Sequence, residues 1–300
     1  MKKTELLIIG QGPAGLSAAI YSSRGGVKTT VVGLKPKIDG DYDIDNYFGF
    51  PDGITGTELM ERGRTQALRF GTEIREDRVL GIHFADDGSY VVKTEKGDIG
   101  AMAVLLATGV SRVKPNVKSI DDYDGKGVSY CVSCDGFFYK DKPVAVLGEA
   151  IYAANQALKL LTYTKDVKIL TNGKEPKISD EFMAKLKEAD IEIITQKIDD
   201  LAGEGGLERV IFEDESTLDL YGIFVALGEA SSSDFARSMG VELDKSKVVV
   251  DETHATNLPG IYAAGDCVGR FLQISVAVGE GALAAKSAMT YVKKKRREES

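Results

Sequence analysis

Apolar positions follow two rhythms along this chain. Leu6-Leu-Ile-Ile9 is a continuous apolar run with Gly10 directly after it, the pattern of a strand buried on both faces. Pro13 to Ser23 then carries small and apolar residues at helical spacing, and Val27 to Val32 returns to a β-branched run. Strand, helix and strand within about thirty residues make a βαβ unit. Residues 73–110 read as a meander with strands at Arg78–His83, Tyr90–Thr94 and Ala103–Ala107. A second βαβ unit opens at Pro143–Leu147, turns at Gly148, runs a helix from Ala150 to Leu161 and returns at Val167–Leu170. Another meander covers Ile191–Leu227. The last block predicts a strand at Val248–Val250, then the segment Gly260–Cys267, then a small-residue helix from about Ile274 to Val292.

The first turn reads Gly10-Gln-Gly-Pro-Ala-Gly15. Between a strand and a helix, this spacing has a physical purpose. Gly10 permits the tight turn, Gly12 lets the backbone approach a pyrophosphate, and Gly15 lets helix and strand pack closely, with the helix N-terminus facing the phosphates. The acid expected at the end of the second strand is absent; the chain reads Val31-Val-Gly-Leu-Lys35. The second turn lies 148 − 10 = 138 residues later, too long a period for a solenoid and right for two nucleotide-binding domains. The expected fold class is therefore α/β, with two Rossmann-like three-layer domains, the second inserted in the first. Residues 1–112 and 245–300 would form one and 113–244 the other, at a proline-containing and a charged segment.

Charge and cysteine usage narrow the chemistry. Lys and Arg number 38 against 46 Asp and Glu, so the net charge is −8, which argues against nucleic acid as a partner. The basic run Lys293–Arg297 reads as a solvated, frayed tail. No stretch approaches the roughly 18 apolar residues of a membrane span. Three cysteines do not make a secreted disulfide framework, so a cytoplasmic setting is expected. Cys131 and Cys134, followed by Asp135, form a Cys-x-x-Cys-Asp motif; no second spaced pair supports a metal site. Such a pair at a helix start favours thiolate chemistry, and the adjacent acid can hand a proton to a departing thiolate, besides capping the helix. Cys267 reads as a small buried filler, and His83 and His254 receive no role.

Five motifs in order resemble the bacterial low-molecular-weight thioredoxin reductases: Gly10–Gly15, Asp45-Asn-Tyr-Phe-Gly-Phe50, Ala107-Thr-Gly109, Cys131–Gly136 and Gly260–Asp266. The resemblance spans nearly the whole chain and implies an FAD-dependent homodimer acting on thioredoxin. It implies that Gly10, Gly12, Pro13, Ala14, Gly15, Asn46, Thr108, Gly109, Gly265, Asp266, Gln273 and Ile274 surround the cofactor. It also implies that Cys134 faces the flavin and Cys131 attacks the thioredoxin disulfide, with Asp135 as the acid. Since the pair must meet both flavin and thioredoxin, a rotation between domains is expected, hinged near 112–116 and 243–247.

The second turn departs from the family. It reads Gly148-Glu-Ala-Ile-Tyr-Ala153, with Ala150 in place of the phosphate-approach glycine, and Glu149 and Tyr152 beside it. Where the family grips the 2′-phosphate of NADPH with a His-Arg-Arg stretch, this chain has Thr171, Asn172 and Gly173, which carry no guanidinium. In this respect the chain resembles the ferredoxin-dependent flavin thioredoxin reductases, with reduced ferredoxin as the donor. Two other readings stand beside it: an NADH- or NADPH-dependent reductase with an unusual site, and a non-catalytic flavin redox sensor. The intact Cys-x-x-Cys-Asp weighs against the sensor.

Overall fold

Lys2–Ile9 is the first strand (β1), and Leu6 to Ile9 along it are buried, as four apolar residues in a row require. The computed structural model describes residues 1–109, 115–228 and 230–299. From β1 the chain turns into helix α1 (Pro13–Arg24) and returns parallel in β2 (Thr29–Gly33), with Leu6 to Ile9 in register with Thr29 to Val32. A two-residue ladder of β3 (Asp43–Ile44) and β4 (Ile54–Thr55) precedes helix α2 (Gly56–Arg69). The Thr55 hydroxyl caps α2 by accepting the Glu58 amide at 3.1 Å. Then come β5 (Glu73–Glu76), β6 (Val79–Phe84), β7 (Tyr90–Thr94) and β8 (Ile99–Leu106). The sheet runs β5-β2-β1-β8-β7-β6, with β6–β7–β8 antiparallel and the rest parallel.

The chain then builds a second compact unit, Arg112–Ala230. Its elements in order are β9 (Val128–Ser129), α3 (Val132–Asp135), β10 (Val144–Leu147), α4 (Ile151–Leu160), β11 (Val167–Leu170), α5 (Asp180–Glu188), β12 (Glu192–Ile194), β13 (Ile198–Ala202), β14 (Arg209–Phe212), β15 (Thr217–Asp219) and β16 (Gly222–Val225). A parallel sheet runs β12-β11-β10-β16-β9, and β13–β15 form a separate antiparallel sheet. The expected meander is thus confined to β13–β15. β12 and β16 join the parallel sheet instead, where Ile223 and Phe224 are buried.

Residues 231–300 return to the first unit, which comprises Met1–Ser111 and Ser231–Ser300. They add α6 (Ser232–Met239), the hairpin β17 (Leu243–Asp244) and β18 (Lys247–Val248), then β19 (Ile261–Ala263) and α7 (Ile274–Glu299). Ile261 to Ala263 pair with Val104 to Leu106, so β8 carries β1 on one side and β19 on the other. The return begins earlier than the expected residue 245, because α6 packs on β6 and the 243–248 hairpin belongs to this unit. The expected second hinge, 243–247, is therefore inside a unit. Of the first, 112–114 lie outside the described residues.

The basic run is no frayed tail. Helix α7 continues through it, and the Arg296 guanidinium pairs with both carboxylate oxygens of Glu5 and donates to the Gly26 carbonyl at 2.9 Å. Among the described residues no helix is long and apolar enough to cross a membrane.

Helices α1 and α7 touch with no room to spare: a Cβ at Gly281 would collide with the Ala14 carbonyl oxygen, whereas a Cβ at Gly279 meets open space. Gly281→Ala should therefore lower stability by about 1–3 kcal/mol through overpacking. Gly279→Ala on the same helix should be neutral or stabilising by about 0.5–1 kcal/mol, because alanine loses less backbone freedom. Thermal denaturation of the two variants checks both signs.

Candidate active site

The first glycine turn divides its labour. Cβ atoms at Gly10 and Gly15 would collide with the carbonyl oxygens of Ala107 and Gly10, so these two glycines serve packing. At Gly12 the nearest atom to a Cβ is Pro36 Cβ at 4.0 Å, which leaves the face of the turn open. Gly12 is the N-cap of α1 and Pro13 stands at the helix start, with no side chain capping the first amides. Ala14 is buried beneath α7. Gln11, unassigned in the sequence reading, is buried. Its amide donates to the carbonyls of Gly33 at 2.5 Å and Arg75 at 3.2 Å, and its oxygen accepts from Arg64. Gln11 thus ties the turn to the end of β2, where Gly33 replaces an acid.

The other expected cofactor residues of this unit gather on loops. Asn46 Nδ2 donates to Gln273 Oε1 at 2.9 Å, which joins the 45–50 loop to the residue preceding α7. The Gln273 carbonyl accepts the Ala277 amide at 2.9 Å, so Ile274 begins the helix. Gly109 takes a positive φ of 69°. Thr108 follows β8, but its hydroxyl accepts the Ser232 amide at 2.7 Å and so anchors α6. The Gly265 amide donates to Glu280 Oε2 at 2.8 Å, while Glu280 Oε1 is buried without a hydrogen bond. Burial pushes the Asp266 carboxyl above the usual carboxylate range. An open phosphate turn, an uncapped helix start and the Asn46–Gln273 pair fit an FAD-sized dinucleotide.

Cys131 and Cys134 form a disulfide with a Cα–Cα separation of 5.3 Å. Cys131 caps α3, and its sulfur accepts the Cys134 amide at 3.2 Å. Cys131 is buried and Cys134 exposed. Ser129 Oγ accepts the Cys131 amide at 3.1 Å and donates to Asp135 Oδ2 at 2.6 Å. Burial, and secondarily Asp135, raises the Tyr139 phenol. Phe137 and Phe138, 70% and 69% exposed, follow directly. The third cysteine, Cys267, is buried with its sulfur 3.3 Å from the Ala264 carbonyl, and burial pushes its thiol up to about 12. His254 is also buried, and its Nδ1 lies 3.0 Å from the Ala263 carbonyl, a structural closure of the 251–256 turn. Among the described residues, no group of three or more His, Cys, Asp or Glu could hold a metal.

The second glycine turn is filled by its own chain. A Cβ at Gly148 would collide with the Ala226 carbonyl, the packing role of Gly10 repeated. The Glu149 side chain, 14% exposed, holds Lys174 Nζ at 2.8 Å through one oxygen, and its other oxygen is buried without a hydrogen bond. The Lys177 amide donates to the Glu149 carbonyl at 2.6 Å, and Ala150 bridges to Lys177, so residues 174–177 run along the turn. Thr171 Oγ1 donates to the Lys174 carbonyl at 2.5 Å, and Asn172 Oδ1 accepts the Ile198 amide at 2.9 Å. Both side chains are therefore engaged within the fold.

Residues 4–281 match the pyridine nucleotide-disulphide oxidoreductase family. The thioredoxin reductase of Helicobacter pylori (strain J99) is 34% identical, with 95% of this chain and 97% of that protein aligned. Two solved structures are similar throughout. The atypical thioredoxin reductase TRi from Desulfovibrio vulgaris Hildenborough is 56% identical with a TM-score of 0.95, covering 97% of this chain and 98% of that one. A ferredoxin-flavin thioredoxin reductase from Clostridium acetobutylicum is 30% identical with a TM-score of 0.71, covering 98% and 99%. The chain belongs to the pyridine nucleotide-disulphide oxidoreductase family and, within it, to the FAD-dependent thioredoxin reductases.

Proposed function

We propose that this flavoenzyme reduces the disulfide of thioredoxin with electrons from reduced ferredoxin rather than from NADH or NADPH. The observation that carries the donor is the second turn, where Glu149 and the 174–177 segment lie along the path a pyrophosphate would take. The Glu149 carboxylate, already paired with Lys174, offers a phosphate no hydrogen-bond donor at this turn. Each charge-assisted phosphate contact missing at residues 171–173 withholds about 1.5–3 kcal/mol. The C. acetobutylicum structure, named for ferredoxin, supports the same donor.

Gly12, Asn46, Asp266 and Gln273 are the residues we assign to FAD. The bound flavin supplies a group that takes electrons singly from an iron–sulfur donor and passes them on in pairs. Exposed Cys134 is the sulfur open to that reductant. Cys131 then attacks the thioredoxin disulfide, with Asp135 providing the proton. Phe137 and Phe138 give the apolar surface beside the disulfide on which a protein substrate settles.

Anaerobic visible spectroscopy, with oxidised thioredoxin present, tests the donor. Reduced ferredoxin should bleach the flavin and generate thioredoxin thiols, while NADH and NADPH leave the spectrum unchanged; rapid bleaching by either nucleotide would overturn the donor assignment. Cys131→Ser should abolish thioredoxin reduction and keep FAD bound, as absorbance at the flavin band and a thiol assay will show. The reaction uses two of the three sulfurs. With its thiol raised to about 12, Cys267 is about 10⁻⁴ ionised at pH 8. Iodoacetamide on the reduced native protein should therefore modify the exposed Cys134 and spare Cys267, and a mass adduct on Cys267 would contradict its burial.

A further inference from the structure

We propose that Ser129 is the positioning residue for the acid Asp135 and fixes which carboxylate oxygen exchanges the proton. This rests on the thioredoxin-reducing reaction proposed above. Ser129 ends β9, where its backbone pairs with Phe224 of β16, and its side chain is buried. Its hydroxyl has two neighbours. One is the Cys131 amide at 3.1 Å, which can only donate. The hydroxyl carries a single proton, so that proton goes to the other neighbour, Asp135 Oδ2, at 2.6 Å. A third bond, from the Asp135 amide to the Cys131 carbonyl at 3.0 Å, closes the ring. The first cysteine and the acid are thus held to one another by a buried hydroxyl that belongs to neither.

The direction of the hydroxyl has a chemical consequence. Oδ2 accepts from Ser129 whether Asp135 is ionised or protonated, which leaves Oδ1 to gain and lose the proton. In the exchange, the Cys131 thiolate attacks one sulfur of the thioredoxin disulfide. The mixed disulfide forms, the thioredoxin S–S bond breaks, and the departing sulfur takes the Oδ1 proton. Cys134 then loses its proton to Oδ1 and attacks Cys131, forming the Cys131–Cys134 disulfide. The second thioredoxin sulfur leaves and takes that proton in turn. Two electrons pass from the enzyme dithiol to thioredoxin, and its two new thiols receive the protons first held by Asp135 and Cys134. Without Ser129 the carboxylate can rotate about its side-chain bonds, and a misplacement of about 1 Å can cost about 100-fold in rate.

The test uses full-length, FAD-loaded enzyme, photoreduced without oxygen and mixed with oxidised thioredoxin in a stopped-flow instrument. Ser129→Val and Ser129→Ala should slow the exchange about 10- to 100-fold, with FAD content unchanged and the KM for thioredoxin within about twofold. Ser129→Thr, which matches valine in volume but keeps the hydroxyl, should recover the rate to within about threefold. Adding Ser129→Val to Asp135→Asn should slow the enzyme no further, because the two act as one unit. A Ser129→Val enzyme at the wild-type rate beside a slow Asp135→Asn enzyme would overturn the role of Ser129 while the proposed reaction stands. Ser129→Thr as slow as Ser129→Val would overturn it too. Asp135→Asn at full rate would remove the role of the acid, and with it that of Ser129, while thioredoxin reduction itself stands.

Discussion

The first unit depends on a steric constraint: backbone meets backbone where the two ends of the chain cross. The carbonyl of Gly10 occupies the space of a side chain at residue 15, and the carbonyl of Ala14 that of a side chain at 281. A methyl group at either place would push α1 away from β1 or from α7. Those contacts hold the open face at Gly12 in position, and they bring the loops carrying Asp266 and Gln273 to the same unit as the turn. Strand β8 takes part as well, since it accepts β1 from the start of the chain and β19 from its end.

The same scaffold appears in the second unit with a different outcome. Gly148 packs against Ala226 as Gly10 packs against Ala107, so the strand-to-helix geometry persists. The difference lies in the next residue. Gln11 directs its amide inward to the end of β2 and leaves the first turn open. Glu149 pairs with Lys174 beside the second turn. The two units thus share the strand–glycine–helix packing and differ in what the side chain after the first glycine engages.

Features local in sequence were legible, and those made by distant residues were not. The strand–glycine–helix units and the Cys-x-x-Cys pair are patterns of a few neighbours, and the structure contains them. Helices α2 and α6 went unassigned although Thr55 with Glu58 and Ser231 with Asp234 are capping signals three residues apart; in α6 the full capping box forms. The parallel placement of β12 and β16 was not legible, because an apolar run does not say which strand it pairs with. Nor were the Thr108–Ser232 bond, the Arg64–Gln11 bond or the Glu5–Arg296 pair, whose partners lie 124, 53 and 291 residues apart. The Ser129–Asp135 bond spans only six residues, yet it depends on how α3 follows β9, a turn that composition does not specify.

The inserted topology also sets an order of events during synthesis. Residues 112–230 emerge whole and contain both of their sheets, so that unit can fold while the ribosome is still at work. The first unit cannot. Its strand β8 waits for β19, and α1 waits for α7. The nascent protein thus carries the Cys131–Cys134 pair on a finished platform before the first unit, and with it the place for the cofactor, is closed.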